Sequence, residues 1–195
     1  SSGTGSEELL LESGVPNDLS PDGRFLLYVK GDPKTFDLWV LPLSGERKPF
    51  PFVNTNFVEL NGQFSPDSRW VAYQSNESGS VEVYVQPFPG PGGKWQVSTG
   101  GGIEPRWRRD GKELFYVAPD GKLMAVPIQD AGQTLEAGVP VTLFQTQIVG
   151  GGNYPYRQQY AVAPDGKRFL INSTVDKSIA SPITIVTNWA RALKK

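Results

Sequence analysis

A short motif that occurs four times limits this chain more than any other sequence feature. Each copy places an aspartate in a polar turn, puts a basic residue two positions later and continues into an apolar run. The aspartates are Asp22, Asp67, Asp110 and Asp165. Proline, aspartate and glycine suit such a turn because they preset φ, accept bonds from backbone N–H groups and allow positive φ. The motif therefore predicts a repeat protein whose units each contain two strands joined by a tight turn.

The spacing of the motif indicates the architecture. Successive aspartates are 45, 43 and 55 residues apart, and a four-stranded propeller blade takes about 40–45 residues. With 22 glycines, 17 prolines and few candidate helices, the chain is predicted to be all-β. We predict one β-propeller domain over residues 1–195, with four four-stranded antiparallel blades. The blades would cover residues 14–56, 57–99, 100–146 and 154–190.

The strand count suggests how the propeller closes. The fourth unit offers three strand-like segments, whereas residues 7–13, which include three leucines, form one unpartnered segment at the amino end. We predict that the N-terminal strand closes the last blade beside residues 183–187, because an unpaired apolar edge invites aggregation. The closure could occur within a monomer as a ring of four blades, or in a strand-exchanged homodimer as a ring of eight.

Composition excludes several classes of function. Nineteen basic and twenty acidic residues give a formal net charge of −1, so no nucleic acid partner is expected. Histidine and cysteine are absent, which removes serine–histidine triads, thiolate nucleophiles and most zinc and copper sites. We therefore expect no cofactor, no metal and no enzymatic activity. No apolar run reaches the roughly 18 residues of a membrane span, so no membrane insertion by this segment is expected.

Two groups of residues could bind a ligand. Arg106, Arg108 and Arg109 surround Trp107 on the innermost strand of the third unit, where guanidinium groups could hold an acidic partner at a channel mouth. The alternative is solvated or channel-facing arginines beside a core tryptophan. Around the longest loop, aromatic contacts could come from Tyr154 and Tyr156, with Arg157 beside them, although loop anchoring is the competing interpretation.

Two structural roles follow from the constant offsets within the repeat. Leu19, Phe64, Trp107 and Val162 each lie three residues before the repeated aspartate, so we predict that they are buried between blades. The aspartates themselves could form a carboxylate ring for calcium. Turn formation is the preferred interpretation, because each side chain can satisfy its own local N–H groups.

The motif, followed by a strand such as Asp37-Leu38-Trp39-Val40, resembles the TolB-type, WD-like β-propeller repeat, and the resemblance covers nearly the whole chain. Residues 105–116 and the end of the chain from Asn188 also resemble C-terminal propellers of bacterial serine/threonine protein kinases. The resemblance implies a non-catalytic sensor, scaffold or binding module from a larger bacterial protein, located outside the cytoplasm if the kinase likeness holds. Two alternatives stay open: a propeller hydrolase or lyase with a channel-mouth site, and a self-assembling propeller fragment.

Overall fold

The computed structural model describes residues 7–32, 34–132, 134–148 and 158–173, together with the backbone of one further strand, Ile183–Val186. Every regular element in these residues is a β-strand, and the strands form four antiparallel sheets. Each sheet is one blade, and the innermost strands of successive blades lie beside each other. The prediction of an all-β propeller built from antiparallel blades is confirmed.

The first two blades have the predicted four strands each. The first contains β1 (Val15–Leu19), β2 (Phe25–Lys30), β3 (Asp37–Pro42) and β4 (Phe50–Val53). The second contains β5 (Glu59–Phe64), β6 (Trp70–Ser75), β7 (Glu82–Pro87) and β8 (Trp95–Gln96). In both blades the strands pair in chain order from the centre outward.

The third blade differs from the prediction of four strands. It contains β9 (Ile103–Trp107), β10 (Glu113–Val117), β11 (Lys122–Asp130), β12 (Leu135–Ala137) and β13 (Val141–Gln145). Pro127 does not end β11, because residues 128–130 continue the strand by pairing with β12, while residues 122–125 pair with β13. The described part of the fourth blade contains β14 (Tyr160–Val162), β15 (Phe169–Asn172) and β16 (Ile183–Val186).

The repeated turn forms in every blade as the sequence predicts. The aspartate Oδ1 accepts a hydrogen bond from the backbone N–H two residues later, at 3.0, 3.1, 3.1 and 2.9 Å in chain order. The following residue has positive φ, which glycine allows in three blades and Ser68 adopts in the second, with φ 60°. These aspartates therefore have the structural role that the turn chemistry indicates.

Three apolar clusters fill the spaces between neighbouring blades. Phe64 and Trp107 are buried in the first two clusters, and Val162 packs partly buried against the third. The prediction was wrong for Leu19, whose exposed fraction is 52%. Leu19 occupies the position that contacts the preceding blade, and no blade precedes the first one among the described residues.

The predicted closing strand does not form. Residues 7–14 contain no strand, Leu9 is 81% exposed, and Glu8 Oε1 accepts a bond from Arg47 Nη1 at 2.6 Å in the first blade. In a strand, Leu9 and Leu11 would share one face and Leu10 would lie on the other, so burial of one face would still leave Leu10 uncovered. The prediction that residues 7–13 close the last blade within one chain is therefore wrong, whereas the strand-exchanged homodimer stays a prediction.

The first and fourth blades each expose an apolar residue at a repeat position that other blades bury. Leu170 of the fourth blade corresponds to Leu27, Ala72 and Phe115, which are fully buried against the following blade, yet its exposed fraction is 46%. Leu19 and Leu170 would bury each other's faces if the first and fourth blades packed together. Their exposure shows that these two positions are not covered in that way.

Candidate functional site

The position four residues before the repeated aspartate links the innermost strands of the first three blades. Asp18 Oδ2 accepts a hydrogen bond from the backbone N–H of Phe64 at 2.9 Å, and Gln63 Oε1 accepts one from the backbone N–H of Trp107 at 2.7 Å. Arg106 occupies the same position in the third blade. A guanidinium carries only donors, so Arg106 cannot accept the corresponding bond from the fourth blade.

Arg106 is instead a buried cation with spare donors. Its exposed fraction is 4%, and its Nη1 donates to the carbonyl oxygen of Pro105 at 2.6 Å. Its Nε and Nη2 have no hydrogen-bond partner among the described residues. The guanidinium carbon lies 5.8 Å from the ring centre of Tyr160, within cation–π range. Buried polar groups without partners cost free energy, so the arrangement favours an anionic ligand that could accept both bonds.

Two carboxyl groups lie within electrostatic reach of Arg106, the buried Glu104 and the half-buried Asp18. Burial raises the pKa of Asp18, and hydrogen bonds from the backbone N–H groups of Phe64 and Leu19, followed by Arg106, partly oppose that rise. Burial also raises the pKa of Glu104, against a backbone hydrogen bond from Gln159 and the charge of Arg106. The site therefore combines one fixed positive charge with two carboxyl groups that resist ionisation.

Glu104 takes over the link that Arg106 cannot make. Its Oε2 accepts the backbone N–H of Gln159 at 2.8 Å, which joins the third and fourth blades. Its φ is 54°, a strained value for a residue with a side chain, and Asn61 has the same φ at the same repeat position of the second blade. Glu104 was not among the residues predicted from the sequence, although alignment of the repeats places it at the position of Asn61.

Arg108 has a different role from the one predicted for it. Its Nη1 bonds Glu113 and its Nη2 bonds Asp110, both at 2.6 Å, and these partners raise its pKa. Its side chain also packs where a Cβ on Gly166 would lie, since the Arg108 Cδ is 2.6 Å from that point. Arg108 thus ties the third blade to the turn of the fourth, and both of its terminal nitrogens donate to carboxylates.

Arg109 lies at the rim of a cavity beside Asp18. The cavity has a volume of about 420 Å³. Its wall is apolar apart from these two charges and Gln63, and consists of Leu19, Pro21, Phe64, Pro66 and Trp107. Arg109 is exposed and forms no ion pair with any described residue. The three predicted arginines therefore divide into a buried donor, a structural tie and a free surface cation.

A second, larger cavity of about 570 Å³ lies between the second and third blades. It shares Pro66 and Trp107 with the first cavity and extends outward past Trp70 to Asp130. The indole Nε1 of Trp107 is buried without a hydrogen-bond partner among the described residues. The sequence placed Trp107 in the core, which is correct, but gave no signal that it also separates two cavities.

The remaining predicted binding residues, Tyr154, Tyr156 and Arg157, lie outside the described residues. In the parts of the chain that the structure describes, no group of three acidic side chains is arranged to hold a metal ion. No helix in the same parts is long and apolar enough to cross a membrane.

The chain is similar in structure to several solved propellers. TolB from Acinetobacter baumannii superposes with a TM-score of 0.73 at 17% identity, over 97% of this chain and 45% of that one. An oligogalacturonate lyase in complex with manganese gives 0.55 at 15% identity, over 84% of this chain and 45% of the lyase. A puromycin-hydrolyzing peptidase from Mycobacterium tuberculosis gives 0.52 at 19% identity, over 79% of this chain and 27% of the peptidase.

These likenesses show the fold. No protein-family model matches the chain, and no curated protein matches its sequence. The chain spans less than half the length of the three solved structures. The predicted TolB-type propeller is supported, whereas the narrower resemblance to kinase propellers stays a prediction.

Proposed function

We propose that this propeller is a non-catalytic binding module that holds an acidic group of a protein or small-molecule partner at the mouth of its channel. The observation behind the proposal is Arg106, a buried guanidinium whose Nε and Nη2 lack partners among the described residues. Charge-assisted hydrogen bonds from such a group to a carboxylate are stronger than bonds between neutral groups. Arg109, free at the rim, would guide an acidic partner toward it.

The surroundings of Arg106 suit recognition of a carboxylate. Asp18 and Glu104 keep the buried charge from being isolated. Asp18 also lines the neighbouring cavity, where Leu19 and Trp107 would contact the rest of the ligand. Arg106 replaces the acceptors found at Asp18 and Gln63, and Glu104 makes the link to the fourth blade in its place. The resemblance to kinase propellers extends the proposal to a sensor domain outside the cytoplasm, without a cofactor.

A propeller lyase or hydrolase is the second candidate. Burial raises the pKa of both Asp18 and Glu104, and carboxyl groups shifted in this direction can act as general acids or bases. The hydroxyl of Tyr160 donates to the carbonyl oxygen of Glu104 at 2.9 Å, so it is occupied in this structure. Turnover of an acidic substrate that is lost in Asp18→Asn or Glu104→Gln, but not in Asp165→Asn, would favour the enzyme.

Calorimetry with a library of peptides tests the binding proposal, with each peptide made with a free and with an amidated carboxyl end. We expect peptides with free carboxylates to bind, and Arg106→Gln to weaken them about tenfold or more, since a buried hydrogen bond to a charged group contributes about 1.5–3 kcal/mol. Arg168→Gln is the matched control, because Arg168 is an exposed arginine paired with Asp165 in the fourth blade. Equal affinity of Arg106→Gln and the unmodified protein would refute the assignment.

A further inference from the structure

The four repeated aspartates are alike in sequence but not in charge pairing. The outer oxygen, Oδ2, lies 2.7 Å from Arg24 Nε at Asp22, 2.6 Å from Arg108 Nη2 at Asp110, and 3.0 Å from Arg168 Nε at Asp165. At Asp67 the corresponding distance, to Arg69 Nη1, is 3.9 Å. Asp67 is therefore the repeated aspartate whose outer oxygen lacks a close cation among the described residues.

The cause is a second acceptor in the third blade. Arg69 Nη1 bonds Asp130 Oδ2 at 2.7 Å, and Arg69 Nη2 donates to the carbonyl oxygen of Gly132. Asp130 is the last residue of β11, and Gly132 lies in the turn that follows it. Arg69 thus crosses to the next blade, and Asp67, whose Oδ2 is left without a close cation, lines the larger cavity.

The same cavity contains a second unmatched group. Trp107 lines it, and the Nε1–H of Trp107 is buried without an acceptor among the described residues. Because this N–H is already out of water, an acceptor that reaches it gains a hydrogen bond without any further desolvation of the donor. The acceptor has to displace the side chains that shield the nitrogen, so the cavity must open slightly as the ligand enters.

The rest of the lining narrows the chemistry of the ligand. Apolar contact would come from Pro66, Trp70, Pro127 and Ile128. The charged side chains of the lining are one cation, Lys112, and three aspartates, Asp67, Asp110 and Asp130, so acidic groups predominate. A fitting ligand needs a cation for Asp67, an apolar body and a carbonyl for the indole. An extended polypeptide that contains lysine or arginine among apolar residues has all three. A nucleic acid would bring phosphates toward three aspartates, which disfavours it.

We propose that the cleft between the second and third blades binds an extended basic segment of a partner polypeptide, whose lysine or arginine pairs with Asp67 and whose backbone carbonyl accepts the Trp107 indole N–H. The site is distinct from the one at Arg106, because its selective group is a carboxylate and the group it recognises is a cation. It neither requires nor excludes binding of an acid at the channel mouth.

The test uses short peptides that are acetylated at one end and amidated at the other, so that no terminal charge can engage Arg106 or Asp67. Each apolar peptide is made with a central lysine and again with norleucine in its place. Binding is followed by the NMR resonance of the Trp107 indole N–H, which Trp107→Phe identifies among the five tryptophans. A set of lysine peptides should shift this resonance saturably.

Two variants separate the parts of the proposal. Asp67→Asn keeps the side-chain oxygen that forms the turn and removes the charge, so the preference for lysine over norleucine, about three- to tenfold, should disappear. Asp165→Asn is the matched control, because its outer oxygen already pairs with Arg168, and the preference should persist there. Trp107→Phe lacks the indole resonance, so its binding is measured by calorimetry, and lysine and norleucine peptides should both bind about three- to tenfold more weakly.

The proposal is overturned if no peptide of the array shifts the Trp107 resonance at millimolar concentration. It is also overturned if Asp67→Asn retains the lysine preference, or if Asp165→Asn loses it to the same extent. Peptide binding that depends on Arg106→Gln instead would assign the ligand to the channel mouth and contradict a separate cleft site. Folding of each variant is checked by the dispersion of its amide resonances.

Discussion

Replacing Glu59 with glutamine should stabilise this protein at alkaline pH and leave its stability nearly unchanged in acid. Glu59 has an exposed fraction of 0%. Its Oε1 accepts bonds from the hydroxyls of Thr55 at 2.7 Å and Ser75 at 3.2 Å, whereas its Oε2 has no partner among the described residues. Burial raises the pKa of Glu59, and the charges of Asp37 and Glu77 raise it further.

The sign of the pH dependence follows from that direction. A carboxyl group whose folded pKa is raised stabilises the fold below its ordinary pKa of 4.5, and the benefit is lost as the pH rises through the folded value. Above that value the folded protein holds an ionised oxygen without a partner, which costs about 1–3 kcal/mol or more. Glutamine keeps Oε1 and removes the charge, so it should recover about 1–3 kcal/mol at pH 8.

Urea unfolding at pH 4.5 and at pH 8 measures the difference. Glu82→Gln is the control, since Glu82 is also buried but both of its oxygens accept bonds, from the Ser98 hydroxyl and the backbone N–H of Gly101. The amide nitrogen of a glutamine there would donate to the Ser98 hydroxyl, which would lose its own acceptor, so Glu82→Gln should lose about 1–3 kcal/mol at pH 8. A Glu59→Gln variant that is less stable than the unmodified protein at pH 8, or whose advantage does not change with pH, would refute this reasoning.

Three further predictions concern packing, and thermal or urea unfolding checks each. Gly62→Ala should cost about 1–3 kcal/mol, because the new Cβ would lie 2.6 Å from Leu27 Cδ2; an unchanged midpoint would contradict the packing of β5 on the first blade. Phe115→Ala should cost about 3–5 kcal/mol, because the ring is buried edge-on to Phe169 at 5.1 Å. Leu9→Ser should change stability by less than about 0.5 kcal/mol, and a larger loss would support the predicted closing strand.

The turn motif predicted much of the fold because its information is local. A proline, an aspartate and a residue of positive φ define the hairpin from within a few positions, so the blades could be placed from sequence alone. The extension of β11 beyond Pro127 could not be found in this way. Proline usually ends a strand, and here the outcome depends on pairing with β12, which is a tertiary contact.

Sequence reasoning failed where partners come from other blades. The leucines before β1 looked like a strand because apolar residues need cover, yet a strand also needs a partner edge, which the leucines themselves do not define. Arg106, Arg108 and Arg109 were equally plausible ligands for an acid. Their different roles depend on Glu113, Asp110 and the turn at Gly166, whose positions only the packed blades fix.

Comparison of the blades separates an arginine whose contacts the repeat explains from one whose contacts it does not explain. At the position of Arg108 the first two blades have Ser20 and Ser65, whose hydroxyls donate to the turn aspartates. Arg108 donates to Asp110 and so has the same structural role in the third blade. At the position of Arg106 the first two blades have Asp18 and Gln63, each of which accepts a hydrogen bond from the next blade. Arg106 can make no corresponding bond. A repeat assigns the same structural role to equivalent positions. Arg106 is buried, does not make the contact that Asp18 and Gln63 make, and leaves two donors without partners among the described residues. Binding of a ligand would explain these three properties.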